Sequence, residues 1–172
     1  GVVDADLGLA GGDLRAAERT YQLLEQVSGR AGRHEHPGTV LLQTHHPDAP
    51  VLQALVVGDR DSFLAEEMRA RREAGMPPFG RLVAIIVSAP DADLADQIAI
   101  SLGRSAPRFS DVLVLGPAPA PLALLRGRHR RRLLLKTGRE VNVQKVVRDW
   151  LAGIKIPSSV RVAVDIDPYG FL

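Results

Sequence analysis

The pattern that most limits the fold runs from Arg81 to Ile166. Leu82 to Ser88 is an unbroken run of aliphatic and β-branched residues of strand length. Asp91 to Gly103 places Leu94, Ile98 and Leu102 on one helical stripe. Val112 to Leu115 reads as a strand, followed by a stiff Pro-Ala segment. Leu122 to Leu125 and Arg130 to Lys136 read as a hairpin around Arg126-Gly127-Arg128. Val141 to Gly153 turns Val143, Val147, Trp150 and Leu151 inward on a second helix, and Val160 to Ile166 is the last strand. The order β-α-β-β-α-β predicts a split-βαβ, ferredoxin-like α+β sandwich.

Upstream the pattern changes. Residues 1–5 read as the end of a buried strand, residues 14–28 as a helix stopped by Gly29, and Thr39 to Thr44 as a strand that pairs back. That is an α/β strand–helix–strand unit. His45 to Pro50 breaks it, so residues 1–48 are expected to form one body. Residues 49–80 hold two linking helices, Pro50 to Val57 and about Ser62 to Ala74, the second ended by Gly75. Residues 81–172 form the second domain. The chain opens on Gly1-Val2-Val3-Asp4, which reads as mid-strand, so further sequence is expected upstream.

Charge narrows the partners. Net charge is +2, yet Arg126, Arg128, Arg130, Arg131 and Arg132 bring five positive charges into seven residues, so the rest is net negative. One concentrated cationic spot on an acidic body favours a polyanion. Along an extended strand Arg128, Arg130 and Arg132 point one way, and His129 and Arg131 the other. With one Trp and two Tyr, phosphate contact is expected rather than base stacking. A charged edge strand that blocks strand pairing is the alternative reading of the same residues. The chain has no cysteine, and its five histidines lack carboxylates at ligand spacing, so no metal site is expected in it. No apolar run reaches the ~20 residues of a membrane span. A cytoplasmic location is expected.

The run Gln26-Val27-Ser28-Gly29-Arg30-Ala31-Gly32-Arg33 places two arginines three residues apart, with a glutamine one turn upstream. A guanidinium is a permanent cation with a planar fork suited to phosphate oxygens. The pattern Q-x-x-G-R-x-x-R resembles the arginine-finger motif in the second motor lobe of superfamily 2 helicases. The resemblance extends through Asp4-Ala5-Asp6, Gln43-Thr44, Glu73 to Gly80, Leu115 to Pro121 and Val164 to Pro168. This ordered set is similar to the primosomal replication-restart helicases (primosomal protein N′, PriA) over nearly the whole chain.

The resemblance implies that residues 1–48 end a RecA-like helicase lobe and that the chain is the C-terminal part of an ATP-dependent, 3′-to-5′ DNA helicase. In that setting Arg30 reaches the γ-phosphate, Arg33 supports it, and Gln26 and Gly29 sense the nucleotide. ATP and Mg2+ would be shared with a lobe outside this chain, and Zn2+ would be held by cysteines upstream. With no G-x-x-x-x-G-K-[ST] segment, this chain is not expected to hydrolyse ATP alone. Arg126, Arg128, Arg130 and Arg132 would contact DNA. Arg139 and Gln144 would hold the tail of the single-stranded DNA-binding protein. Branched and single-stranded DNA and primosome proteins would be the partners. Another superfamily 2 translocase, or a stand-alone nucleic-acid-binding module, are the alternatives.

Overall fold

The odd-numbered residues of the first strand mark the side of the sheet that carries the main core. In the computed structural model, which describes residues 1–9, 15–31 and 39–170, β1 spans Gly80–Ala89. Its odd residues Val83, Ile85, Val87 and Ala89 are all fully buried in the main core. Two helices cover that side: α4 (Ala92–Arg104) through Ala95, Ala99 and Leu102, and α5 (Val143–Ala152) through Val143, Val147 and Trp150. Asp91 caps α4 by accepting from Leu94 N at 2.9 Å, and Asn142 caps α5 by accepting from Lys145 N at 3.0 Å. The Trp150 indole N–H donates to Leu102 O at 3.1 Å and to Ser105 Oγ at 3.2 Å, joining α5 to the end of α4.

The remaining strands are β2 (Val112–Leu125), β3 (Arg128–Gly138) and β4 (Arg161–Ile166). The sheet order is β2-β3-β1-β4, and every pairing is antiparallel. This is the α+β split-βαβ arrangement expected from the sequence. Both helices lie on one face, so the other face of the sheet carries no helix of this layer.

One expectation at β2 fails. The Pro-Ala segment does not break the strand; β2 runs on to Leu125, with register shifts after Leu115 and after Pro119. β2 is an edge strand, where prolines lose no ladder donor on the outer side and bulges absorb the mismatch. Gly116 (φ +99°) makes the first bulge possible, because a Cβ there would meet Arg132 O at 2.7 Å.

Contacts divide the chain into two units, Gly1–Arg69 and Ala70–Leu172, with the division inside α3 (Arg60–Glu73). In the first unit, α1 (Ala16–Ala31) and α2 (Pro50–Val57) enclose a small core of Ala5, Tyr21, Leu24, Val51, Leu52 and Phe63. The Tyr21 and Phe63 rings stack at 5.1 Å. The second helix thus packs with the upstream residues. Val2 and Leu42 form a parallel bridge, with Val2 N donating to Leu41 O and Gln43 N to Val2 O. The expected strand over 39–44 is only this bridge, since a parallel pair with no further neighbour sustains no ladder. Asp6 closes the connection by accepting from Thr44 Oγ1 and from His45 N at 2.7 Å. These bonds, the Thr44 one first, hold its carboxyl below the usual value.

Gly29 does not stop α1. The helix continues two residues to Ala31, so Arg30 sits in its last turn and not in a loop. An interior glycine costs about 1 kcal/mol relative to alanine, which disfavours a helix without ending it. Arg33, Pro37 and Gly38 lie outside the described residues.

Candidate nucleic-acid interface

The hairpin between β2 and β3 turns on Arg126 (φ 50°) and Gly127 (φ 70°), the two left-handed positions of a tight hairpin turn. The turn sets the register of everything that follows. Arg130 lies opposite Ser88 of β1, and Arg132 opposite Ile86. Leu133 and Leu135 point into the helix-covered core, so Arg128, Arg130 and Arg132 share the opposite, open face.

On that face a cavity of about 730 Å3 is lined by Ala84, Ile86 and Ser88 of β1, by Ala163 and Asp165 of β4, and by Arg126, Arg128, Arg130 and Arg161. Four guanidinium-bearing residues therefore meet one carboxylate around an apolar floor. The arginines are not equivalent. Arg128 Nη2 donates to Ser88 O at 2.8 Å and to Ser159 O at 2.6 Å. Arg130 Nη1 reaches Leu122 O at 3.3 Å, a longer and weaker bond. Arg126 is exposed at the turn. Arg132 does not line the cavity. Arg161 was not singled out from the sequence; its partner across the sheet is Ser88, the residue that also faces Arg130.

Arg131 points the other way, as its place in the alternation requires. Its Nε and Nη2 bind the two oxygens of Asp96 on α4, at 2.5 and 2.7 Å. The Arg131 side chain is 15% exposed and Asp96 46%. The Arg131 hydrogen bonds hold the Asp96 carboxyl below its usual value, while partial burial opposes them. A carboxyl depressed by folding contributes stability above its unfolded pKa of about 3.9 and loses it as pH falls through the folded value. Asp96→Ala is expected to destabilise the second unit by about 1–2 kcal/mol at neutral pH, because it strands a half-buried cation that water can only partly solvate. That difference should shrink on acidification below pH ~4. Urea titrations followed by the fluorescence of Trp150 check it, since it is the only tryptophan.

The other predicted residues fall into separate places. Gln26, Gly29 and Arg30 are all exposed on α1. Gln26 and Arg30 are one turn apart on the same helix face, and Arg30 is a cation at the negative helix end. Such a pair can meet phosphate oxygens held by another body. Arg139 lines a cavity of about 390 Å3 with Pro77, Pro78, Arg81 and Asp167, and Gln144, exposed in the first turn of α5, does not line it. The structure therefore does not gather Arg139 and Gln144 into one cavity. Among the described residues no group of three or more His, Cys, Asp or Glu could hold a metal, and no helix is long and apolar enough to cross a membrane. His34 and His36 lie outside the described residues.

Known proteins bear on this geometry. The family model described as Primosomal protein N C-terminal domain matches residues 72–169. A replication restart protein PriA from Rickettsia felis is 44% identical over 171 residues, 99% of this chain and 26% of the relative. Those of Haemophilus influenzae and Bacillus subtilis are each 36% identical, over 97% and 98% of this chain and 23% and 22% of their own length. The chain thus spans about a quarter of the length of the curated relatives it matches. With the family model matching more than half the chain, including the whole helix-covered sheet, this chain belongs to the primosomal protein N C-terminal domain family.

Proposed function

We propose that this chain serves as the C-terminal part of a replication-restart DNA helicase, and that its helix-free sheet face binds the DNA backbone. One observation carries the reading: Arg126, Arg128, Arg130 and Arg161 converge on one groove that holds a single carboxylate, Asp165. Like charges gathered on one face repel; the negative charge of a polyanion neutralises them, and the release of the polyanion's own counterions adds to the driving force. The names of the relatives, replication restart protein PriA, supply the setting in which the polyanion is DNA.

The second contribution is the end of α1. Arg30 would face the γ-phosphate of ATP bound by a lobe outside this chain, with Arg33 in support and Gln26 and Gly29 at the same surface. The residues present fit one side of such a site: an exposed guanidinium and an exposed amide, one helical turn apart. ATP with Mg2+ supplies the reacting phosphoryl; this chain's part is to bring a positive charge to it. With no cysteine, the chain has no thiolate set for zinc. Arg139 and Gln144 remain the proposed contacts for the acidic tail of the single-stranded DNA-binding protein, and primosome proteins the further partners.

The DNA reading is tested by titrating the chain against single-stranded DNA over a range of salt. If three phosphates are neutralised, the slope of log affinity against log salt is about −2. The double substitution Arg126→Ala with Arg130→Ala is expected to weaken binding at low salt and flatten the slope by about 1.4. An affinity independent of salt, or a double variant that binds like the parent, contradicts the reading.

A further inference from the structure

We infer that Arg161, on β4, is a phosphate contact of the open-face groove, and that the groove accepts single-stranded rather than duplex DNA; this rests on the DNA reading proposed above. The register is the first argument. Ser88 pairs with Arg130 on one side and with Arg161 on the other, so the three residues form one row across the sheet. Two strand spacings, about 10 Å, separate the backbones of the two arginines. Both line the same cavity. A strand of phosphates laid along Ser88 would therefore meet one guanidinium on each side.

Arg128 explains why the row holds its shape. Its guanidinium is spent on Ser88 O and on Ser159 O, the latter two residues before Arg161. It ties the start of β3 to the chain entering β4 and so fixes the distance between the two walls. Arg128 is a positioning residue. Asp165 fixes the polarity of the groove. It pairs with Ala84, four residues along β4 from Arg161, or about 13 Å away. Phosphates are thus drawn to the hairpin end and repelled from the far end.

The cavity's size and shape choose the form of the ligand. About 730 Å3 is the volume of a small-molecule pocket, enough for a short stretch of flexible backbone. A duplex, with a persistence length of ~50 nm, would have to be bent sharply to follow such a concavity, at an elastic cost that a flexible single strand does not bear. Among the described residues no aromatic side chain lines the groove, so binding through the backbone should be tolerant of base identity.

The test uses the 172-residue chain and a fluorescein-labelled oligothymidylate of about 16 nucleotides, the upper end of single-strand site sizes. Arg161→Ala is expected to weaken binding about five- to tenfold at low salt and to flatten the salt slope by about 0.7, the value for one phosphate on a single strand. Arg161→Lys, which keeps the charge, should retain most of the affinity, and it keeps the test open if the alanine variant folds poorly. Arg148→Ala removes a charge from α5, across the sheet from the groove, and should change nothing. Parent-like binding by Arg161→Ala, while the Arg126 and Arg130 variants bind weakly, overturns the inference and leaves the DNA reading intact. Parent-like binding by all of them overturns the DNA reading itself. A duplex of the same length bound as tightly as the single strand overturns the single-strand assignment.

Discussion

In the intact protein, Arg30→Ala will leave ATP binding close to that of the parent and lower hydrolysis about a thousandfold or more, the range for a guanidinium that meets a transferring phosphoryl. The basis is the position of Arg30 in the last turn of α1, exposed, with Gln26 one turn behind it on the same face. A cation delivered from one lobe to a phosphate on another acts where negative charge spreads in the transition state, so its loss falls on turnover and not on affinity. Arg30→Lys keeps the charge and loses the planar fork, so it should recover only part of the rate. Single-turnover hydrolysis alongside nucleotide binding separates the two effects. Unchanged turnover in Arg30→Ala would reduce Arg30 to a charge that complements the helix dipole, a surface effect of about 0.3–1 kcal/mol.

The second large effect is on stability. Trp150 is 5% exposed and is the only indole in the chain. It packs in the core between the sheet and α4, and its N–H is satisfied by Leu102 O and Ser105 Oγ. Trp150→Ala removes that volume and leaves a cavity, for a loss of about 3–5 kcal/mol. Against a total stability of about 5–15 kcal/mol, that is at least about a fifth of what holds a typical domain folded. Trp150→Phe keeps most of the packing and loses the hydrogen bonds, so about 1 kcal/mol is expected. Urea denaturation followed by circular dichroism measures both. A loss under about 1 kcal/mol in the alanine variant would mean that the core closes over the gap, against the behaviour of a close-packed interior.

Periodicity carried the second unit into view. The aliphatic run of β1 and the stripes of α4 and α5 were enough to order β-α-β-β-α-β, and the two-residue period of an extended strand separated Arg131 from Arg128, Arg130 and Arg132. What local pattern cannot carry is pairing at a distance. Arg161 lies 31 residues beyond Arg130, and only the shared partner Ser88 brings the two together. Its alternation with Ala163 and Asp165 against Val162, Val164 and Ile166 was a readable sign that it faced the polar side. The Asp96–Arg131 pair, 35 residues apart, had no local sign at all. The prolines of β2 pointed to a break because the sequence does not say which strand will lie at an edge. Gly29 pointed to a helix end because a glycine marks either an end or a weak interior, and only the following residues decide.

The two proposed contributions, a cation for ATP and a groove for DNA, predict different failures in one experiment. The most direct measurement is DNA-stimulated ATP hydrolysis by the intact protein, titrated with single-stranded DNA, for the parent, Arg30→Ala and the Arg126→Ala, Arg130→Ala double variant. Arg30→Ala is expected to lose the maximal rate at every DNA concentration. The double variant is expected to reach the parental maximum but to need several-fold more DNA to do so. Parental half-saturation in the double variant would contradict the DNA groove, and a parental maximum in Arg30→Ala would contradict the role of Arg30.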